Sequence, residues 1–365
     1  MTCKCIFVGK AWGESEADFK VPFIGADGQE LFRMLGLTGF HSAPLPPYYV
    51  SALTMINQWS TFSYPILNVF NERPGKESNN VKLFYAHRKS EVPLDRSFGS
   101  RKFGSANYFV RADKAHHIQK LHKTIRQKKP NLIVALGATA CWALGLGAAI
   151  GKLRGFVHET PYGKVLPTYH PFAILSNWSL RASSLLDLSK ARREMQYPGV
   201  RTIEREIWTE LTIPDLWDWW ENYGSKSPLL AIDIETIRNQ QISEVGFASD
   251  NKHALHIPFV WEDRSTTPKV YRQWWRKPQD EVKAWEFVRH VLNSPIPKIG
   301  QNFKYDAYWL IKEFGFNIRN WQHDTMVATH AWQPELGKGL YDLGAMFLDE
   351  KSWKFIRKDT GKQDD

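Results

Sequence analysis

The sequence predicts an α/β protein of two domains, and three observations support this prediction. In the first half, four short apolar runs are each followed by a turn or a helix signal: Ile6–Gly9, Ile66–Phe70, Leu132–Leu136 and Val165–Pro167. This alternation is typical of a parallel sheet covered by helices on both faces, a three-layer α/β/α arrangement. In the second half, a strand and a hairpin precede a strand–helix unit. The third observation is a change of composition between the halves.

Charge and tryptophan are both distributed unevenly along the 365 residues. Residues 1–200 carry 26 lysines and arginines against 13 acids, whereas residues 201–365 carry 22 against 25. Of the 16 tryptophans, 12 lie in the second of these halves. Two composition changes at one place indicate a domain boundary. We expect a first domain over residues 1–198, a connecting segment over 199–228 and a second domain over 229–365.

The overall composition excludes several classes of protein. An apolar fraction of 43% and a charged fraction of 24% are typical of a globular chain and not of a disordered one. The three cysteines, Cys3, Cys5 and Cys141, match no zinc spacing and are odd in number, so we expect neither disulfides nor a cysteine-held metal. They suit a reducing, cytoplasmic compartment. Residues 132–150 carry no charge, but their glycines predict a strand, a turn and a helix instead of a membrane span.

The segment 101–129 is strongly basic. It contains nine lysines and arginines, three histidines and one acid. Ile118, Leu121 and Ile125 form an apolar helical stripe, which directs the basic side chains to solvent. A solvated helix face would explain this charge, but a surplus of this size favours a polyanionic partner, and we expect nucleic acid.

Unusual residues follow the strands of the first half. A glycine-punctuated loop that contains Phe23 follows the first strand, Asn68 lies in the second and His170 follows the last. Each residue alone has a plain structural explanation, as a core ring, a turn cap or a core histidine. Because the carboxyl ends of parallel strands share one edge, we expect the three to form a pocket that stacks on and hydrogen-bonds a planar ligand.

The same stretches resemble the motifs of the uracil-DNA glycosylase superfamily, in particular its family 4 branch and related phage proteins. The motifs occur in the family's order across most of residues 5–195. They are Gly9-Lys10-Ala11-Trp12-Gly13 with Glu16, Pro22-Phe23-Ile24-Gly25-Ala26-Asp27-Gly28, Asn68-Val69-Phe70-Asn71-Glu72-Arg73-Pro74, Leu136-Gly137-Ala138-Thr139-Ala140, Leu153-Arg154-Gly155 and Thr168-Tyr169-His170-Pro171.

This resemblance implies a role for each matched residue. Phe23 would stack on a flipped uracil, and the Asn68 amide would pair with the N3–H and O4 groups of the base. His170 would stabilise the charge that develops on uracil O2 as the glycosidic bond breaks. The further substrate-binding residues that we expect on these motifs are Gly9, Gly13 and Arg154.

Two departures from the family pattern matter for function. The iron–sulfur cysteines of the family are missing, and Glu72 occupies the place of one of them, so we expect no iron–sulfur cluster. Lys10 replaces the acid of the first motif, near the attacking water, and an ammonium group cannot accept a proton from that water. Either Lys10 points to a phosphate and Glu14 or Glu16 serves the water, or the site is catalytically weak.

The second half contains a carboxylate pattern of its own. Asp233 and Glu235 are two residues apart at the end of an apolar strand, so they share a face and repel each other unless a cation lies between them. Residues 242–249 and 254–258 read as a hairpin. The stretch Lys298–Asp306 then predicts a strand that leads into a helix.

This pattern resembles the DEDD-type 3′–5′ exonucleases, with an RNase H-like fold and closest to the proofreading domain of family A DNA polymerases. Asp233, Glu235 and Asp306 would then hold two Mg²⁺ or Mn²⁺ ions. His323, Asp324 and His330 are weaker ligand candidates. The family's last Tyr-or-His…Asp motif is missing, so we expect a weak exonuclease. We also expect an N-terminal piece of a longer polypeptide with polymerase modules downstream.

The two resemblances together predict a protein of DNA replication and repair, in a bacterial or phage-infected cell. The leading hypothesis is an enzyme that excises uracil from DNA, fused to a proofreading-type exonuclease domain. The alternative is a binding module, a retired glycosylase fold that grips single-stranded or primer-template DNA or senses uracil for a polymerase. A small-molecule hydrolase is disfavoured because the sequence has no nucleophile elbow and no nucleotide-binding glycine loop.

Overall fold

The computed structural model describes residues 3–75, 80–86, 109–237, 241–263, 265 and 270–351. Its contacts divide the chain into two units. Unit 1 comprises Met1–Thr202 and Tyr341–Asp365, and unit 2 comprises Ile203–Leu340. Along the chain, unit 2 is therefore inserted between two parts of unit 1. Among the described residues, no helix has the length and apolarity needed to span a membrane.

Unit 1 is built on a parallel sheet. Its strands are β1 (Cys5–Ala11), β2 (Ile66–Phe70), β3 (Tyr85–Ala86), β4 (Phe109–Val110), β5 (Leu132–Leu136), β6 (His158–Thr160) and β7 (Gly163–Thr168). Five of them form a sheet in the order β2-β1-β5-β7-β6, in which only the β6–β7 pair is antiparallel. Strands β3 and β4 pair separately. The four strands predicted from the sequence all lie within this main sheet.

Helices cover both faces of the main sheet, as the sequence predicts. They are α1 (Glu14–Phe19), α2 (Ala26–Leu37), α3 (Ala52–Ser60), α4 (Ala115–Lys128), α5 (Ala138–Ala143), α6 (Ile150–Leu153), α7 (Pro171–Ser176) and α8 (Leu180–Glu194). Alternate β1 residues point to opposite faces. Ile6 and Val8 pack in one core with residues of α4 and α5, whereas Phe7 packs in the other with residues of α2 and α8.

Helix α4 confirms the amphipathic pattern of the basic segment. Ile118, Leu121 and Ile125 are buried, and Lys120 and Arg126 are exposed. Residues 101–108 of that segment lie outside the described residues. The uncharged stretch that begins at residue 132 forms β5, a glycine turn and α5.

Unit 2 contains a mixed sheet and four helices. Its elements are β8 (Glu206–Trp208), α9 (Ile213–Asn222), β9 (Leu230–Ile237), β10 (Gln241–Ala248), β11 (His253–Pro258), β12 (Val260–Asp263), β13 (Val270–Gln273), α10 (Pro278–Asn293), β14 (Lys298–Gly300), α11 (Phe303–Phe314), β15 (Trp321–Asp324) and α12 (Thr325–Trp332). The six-stranded sheet has the order β15-β14-β9-β10-β11-β8. Strands β10 and β11 form the predicted antiparallel hairpin, and β14 runs parallel to β9. The predicted class, α/β in two domains with a parallel-rich sheet in the first, is confirmed.

The domain boundaries expected from composition differ from this division in two places. Residues 203–228, expected as a connecting segment, contain β8 and α9, because Leu216 and Trp219 of α9 are fully buried in the core of unit 2. The last helix, α13 (Leu340–Phe347), was expected in the second domain, yet the chain from Tyr341 onward belongs to unit 1.

A buried lysine explains why α13 belongs to unit 1. The ammonium group of Lys190 on α8 donates to the carbonyl oxygens of Gly155 (2.5 Å), Ala345 (2.6 Å) and Leu348 (2.5 Å). A cation is stabilising at a helix C-terminus, where carbonyl groups lack helical partners. Gly155 has a φ of +75°, and a Cβ there would lie 2.8 Å from the Ala345 oxygen, so glycine permits the close approach of α13.

We predict that Lys190→Met destabilises unit 1. Methionine keeps the length of the side chain but leaves three carbonyl groups without their buried charged donor, which costs about 2 kcal/mol or more. Calorimetric unfolding of the full chain should show a lower Tm. Lys120→Met, on an exposed position of α4, is the matched control and should leave the Tm unchanged. Equal Tm values for the two variants would contradict this role of Lys190.

Candidate functional site

Three predicted residues of unit 1 meet at the ends of β1 and β2. Gly9 and Asn68 are paired neighbours on these parallel strands. A Cβ on Gly9 would lie 2.3 Å from Phe23 Cζ and 2.4 Å from Asn68 Oδ1, distances that no real side chain tolerates. The absence of a side chain at Gly9 therefore allows the Phe23 ring and the Asn68 amide to meet above β1.

The backbone of Phe23 is held in an unusual conformation. Its φ is +58°, in the left-handed region that bulky residues avoid. The indole Nε1 of Trp59 donates to the Phe23 carbonyl oxygen at 2.6 Å, and a Cβ on Gly28 would collide with that oxygen. Such strain persists only where surrounding contacts impose it, and it is concentrated at functional sites.

His170 faces the same ring. The Phe23 and His170 rings are stacked, with centroids 5.6 Å apart. His170 caps α7, and its Nδ1 accepts the N–H of Phe172 at 3.2 Å, which leaves the proton of the neutral imidazole on Nε2. Burial, followed by the charge of Lys10, lowers the pKa of His170 to about 3. The ring is therefore an uncharged donor at neutral pH.

Asn68 has an unused hydrogen-bonding atom. The side chain is 4% exposed, and among the described residues its Oδ1 atom is a buried acceptor without a hydrogen-bond partner. A buried polar atom without a partner costs about 1–3 kcal/mol, so such an atom calls for a ligand or a water. Asn68, Phe23 and His170 thus present an amide edge, an aromatic ring and an N–H donor beside one another.

A cleft of about 680 Å³ is lined by Gly25 and Phe172, which are close in the chain to Phe23 and His170, whereas the buried Phe23, Asn68 and His170 side chains are not among its lining residues. It is lined by the end of β1, by α1, by the start of α2 and by α7, and Lys10 is one of its residues. The ammonium group of Lys10 lies 4.8 Å from the centre of the Phe172 ring. Burial lowers the pKa of Lys10, while the carboxylate of Asp27 acts in the opposite direction.

Two carboxyl groups stand together in this cleft. A Cβ on Gly25 would lie 3.4 Å from Glu16 Oε1 and 3.5 Å from Asp27 Oδ1, so both carboxyls approach the same glycine. The Gly25 N–H donates to Glu16 at 3.3 Å, and the Gly28 N–H donates to Asp27 at 2.9 Å. Burial, with Glu16 as the second cause, raises the pKa of Asp27 to about 6.

The sequence reasoning did not select Asp27. Asp27 lies within the motif Pro22-Phe23-Ile24-Gly25-Ala26-Asp27-Gly28, but it was not assigned a role there. A function for this acid can be inferred only from the fold, which brings Asp27 into the same cleft as Lys10, the residue that replaces the family's acid. The sequence does not show this proximity, since 17 positions separate the two residues.

The other predicted residues have local structural roles. Gly13 is the N-cap residue of α1, and Gly13 and Glu14 both line the cleft. Glu14 is exposed and lies 3.5 Å from the Arg73 guanidinium. Arg154 is buried and binds Asp187 at 2.5 and 3.0 Å, an interior ion pair. Its expected place among the substrate-binding residues stays a prediction. Glu72, at the family's cysteine position, binds Lys114 at 2.7 Å and His117 at 3.2 Å.

In unit 2, the predicted acidic residues come together around β9. Strand β14 pairs with β9 only at Leu230 and Ala231, so it does not reach the N–H of Ile234. Asp306 of α11 accepts that N–H at 2.8 Å. Ile234 is flanked by Asp233 and Glu235, whose side chains lie on the exposed face of β9. The start of α11 is thereby tied to the strand that carries both acids.

The pKa of Asp306 is raised by its burial and by the acidic side chains near it. Burial is the main cause that raises the pKa of Asp306 to about 7, and Asp233 and Asp324 raise it further. Asp324 itself caps α12 and accepts the Phe303 N–H at 2.8 Å, which ties it to the start of α11 as well. Asp233 lines a cleft of about 430 Å³ on the open face of the sheet.

These side chains do not form a complete metal centre. Among the described residues, no three His, Cys, Asp or Glu side chains are grouped so that they could hold a metal ion. His330 is exposed on α12, and His323 is exposed on β15. What fits a cation is the facing pair of Asp233 and Asp306, because Mg²⁺ is commonly bound by one or two carboxylates together with substrate phosphates.

Comparison with known proteins gives the class of each unit. Residues 2–195, more than half of the chain, match the family model of the uracil DNA glycosylase superfamily. Residues 215–363 match the model of a 3′-5′ exonuclease. No curated protein matches the chain.

Solved structures of one exonuclease domain share weak similarity with this chain. The crystal structure of the EXD2 exonuclease domain soaked in Mn and GMP is 20% identical, and the match covers 38% of this chain and 63% of that one, with a TM-score of 0.22. The crystal structure of the same domain soaked in Mg and dGMP is 17% identical, and the match covers 42% of this chain and 71% of that one, with a TM-score of 0.22. This chain thus spans less than two thirds of the first of these.

The fold and the matched models define an α/β protein of two domains. The chain belongs to the uracil DNA glycosylase superfamily, and it joins that domain to a 3′-5′ exonuclease domain. Both resemblances found in the sequence are thereby confirmed.

We predict that His170 stays neutral, with its proton on Nε2, from about pH 5 to about pH 8, although an ordinary histidine titrates near about 6.5. Long-range ¹H–¹⁵N NMR of histidine-labelled protein, with His170→Gln for assignment, reports both the charge and the tautomer. Lys10→Met should raise the pKa of His170, but burial should keep it below the ordinary value. A His170 signal that titrates near neutral pH would contradict the prediction.

Proposed function

We propose that unit 1 excises uracil from DNA by hydrolysing its N-glycosidic bond. The observation that carries this proposal is the buried Asn68 amide oxygen, which has no hydrogen-bond partner among the described residues and lies beside the Phe23 ring and the neutral His170. A planar base with both donors and acceptors on its edge satisfies that amide, and the aromatic ring provides a stacking surface.

The chemistry of the three groups agrees with this function. An extruded base would lie against Phe23, while the Asn68 side chain would pair with N3–H and O4 and discriminate against cytosine. The His170 Nε2–H would donate to O2 as negative charge develops there. A neutral donor held in place by burial needs no reorganisation during the reaction, and loss of one such donor typically costs about 100-fold to 1,000-fold in rate.

The charge of unit 1 also supports DNA as its ligand. Unit 1 carries the basic half of the chain, and the exposed basic side chains of α4 can neutralise phosphates. Lys10 lies in the cleft, where an ammonium group can bind a phosphate beside the flipped nucleotide. The proposal places this activity in replication or repair in a bacterial or phage-infected cell, with a family A-type polymerase module as a partner.

We predict that His170→Ala lowers the rate of uracil release by about a hundredfold or more. Asn68→Ala should lower it by about tenfold or more. The assay is site-specific alkaline cleavage of a labelled single-stranded oligonucleotide with one uracil, in EDTA so that metal-dependent nucleases are silent. His116→Ala and Asn57→Ala, on exposed surfaces of unit 1, are matched controls with unchanged rates.

The alternative, a retired glycosylase fold that grips DNA, gives a different result in the same assay. It requires no uracil release by the unchanged protein, together with tight binding that weakens steeply as salt rises. Release that survives both the His170 and the Asn68 substitutions would place the pocket elsewhere.

A second candidate activity is metal-dependent 3′–5′ hydrolysis of DNA by unit 2. It is supported by the match to an exonuclease model and by the Asp306–Ile234 bond, which fixes one carboxyl between Asp233 and Glu235. We propose Asp233 and Asp306 as metal ligands for Mg²⁺ or Mn²⁺, together with substrate phosphates, and Glu235 stays a prediction from the sequence. Such ions activate water and stabilise a leaving oxygen when bound.

We predict that Mn²⁺ binds the full chain and that Asp306→Asn weakens this binding by about tenfold or more, because one anionic ligand is lost. Isothermal titration with Mn²⁺ alone measures the affinity. Asp218→Asn, an exposed carboxyl on α9, is the matched control and should not change it. Unchanged Mn²⁺ affinity in Asp306→Asn would show that the metal site is misplaced.

A further inference from the structure

The proposed reaction leaves one proton without an acceptor. Water that attacks the sugar must lose a proton, and the residue expected to accept it has been replaced by Lys10. His170 serves the opposite side of the reaction as a donor, because its Nδ1 is occupied by the Phe172 N–H. The acceptor must therefore be another group that lines the cleft.

Three carboxyl groups line the cleft: Glu14, Glu16 and Asp27. Glu14 is exposed and paired with Arg73. Glu16 is buried on α1 and receives the Gly25 N–H on its Oε1 atom. Asp27 lies in the first turn of α2, where the helix N-terminus favours a carboxylate, and its charge interacts with Lys10.

We propose that Asp27 accepts the proton of the attacking water, with Lys10 as a cation in the same cleft that favours its carboxylate. This inference rests on the proposed function and names a residue of that same site. In this proposal the acid of the first motif is replaced by Lys10 at the end of β1, and its function is taken over by Asp27 at the start of α2. Independently, the Asn68 amide oxygen is buried and has no hydrogen-bond partner within the described part of the chain, which favours a ligand at this end of the sheet.

The reaction balances with this assignment. The water oxygen bonds to C1′ of the deoxyribose as the C1′–N1 bond breaks, and the electron pair of that bond leaves with uracil. His170 Nε2–H hydrogen-bonds to uracil O2, so the departing anion is stabilised without proton transfer from the ring. The proton of the water passes to the Asp27 carboxylate, which leaves an abasic sugar and a carboxylic acid that solvent returns to its ionised form.

The charges around Asp27 define its pH behaviour. Burial and the neighbouring carboxyl of Glu16 hold the pKa of Asp27 at about 6, while Lys10 acts to lower it. Among the residues that the structure describes, the cleft also holds Glu14, which is paired with Arg73, and His170 is neutral. A proton acceptor is most effective when its pKa lies near the working pH, and a position-matched acceptor contributes about 100-fold to 10,000-fold.

The test is the pH dependence of single-turnover uracil release in EDTA by the full chain. In the unchanged protein the rate constant should rise from about pH 5 to about pH 7 and then level off, as Asp27 ionises. Asp27→Asn should lower the plateau by about a hundredfold or more and remove this rise. Asp27→Glu should restore part of the plateau rate and part of the pH-dependent rise, because it returns a carboxylate to the same helix turn.

Two controls separate this role from a structural one. Asp18→Asn removes an exposed carboxyl from α1 and should leave both the rate and the pH profile unchanged. Calorimetric Tm values and the affinity for a uracil-containing oligonucleotide should be similar in Asp27→Asn and in the unchanged protein, because the acceptor acts only on water.

The outcomes distinguish the two levels of the proposal. If the unchanged protein releases uracil and Asp27→Asn keeps the rate and the pH-dependent rise, Asp27 is not the acceptor and the proposed function stands. The same conclusion follows if Glu16→Gln, instead of Asp27→Asn, removes the rise. If the unchanged protein releases no uracil at any pH, the proposed function fails and this inference fails with it.

Discussion

The missing side chain at Gly9 is the constraint on which the rest of the unit 1 site depends. A single Cβ there would overlap both the Phe23 ring and the Asn68 amide. Because the position is empty, the ring, the amide and the His170 imidazole can occupy one buried corner at the ends of β1, β2 and β7. Burial then keeps the imidazole uncharged and leaves the amide oxygen in need of a ligand. The proposed base recognition and the proposed charge stabilisation therefore share one physical origin.

Both units position their polar residues in the same way. Short parallel strands end beside a helix start, and the residues that follow the strands form the site. In unit 1 the neighbouring helix start is that of α2, with Asp27 in its first turn. In unit 2 it is that of α11, where Asp306 accepts the N–H that the short strand β14 does not reach. Each arrangement brings a carboxyl close to other charged groups and raises its pKa by burial.

Unit 1 depends on a segment that follows unit 2 in the chain. Residues after 340 belong to unit 1, where the Lys190 ammonium is fixed by carbonyl oxygens at the end of α13. A buried cation is tolerated only when its donors are satisfied, so unit 1 needs this returning segment. The domain division expected from composition placed that segment in the second domain. Charge and tryptophan counts describe the surface and core of a stretch, but they do not register which buried group a helix will cap.

The sequence by itself determined the fold class, the four parallel strands, the hairpin and the two families, because these follow from apolar periodicity and from motif order along the chain. It also selected Phe23, Asn68 and His170, since residues at neighbouring strand ends must converge. Only the tertiary structure showed that Arg154 forms a buried ion pair with Asp187. It also showed that Asp27 lies near Lys10 and Glu16, and that His170 is neutral. Burial and electrostatic interaction depend on distances across the fold, and these are not encoded in the local spacing of residues.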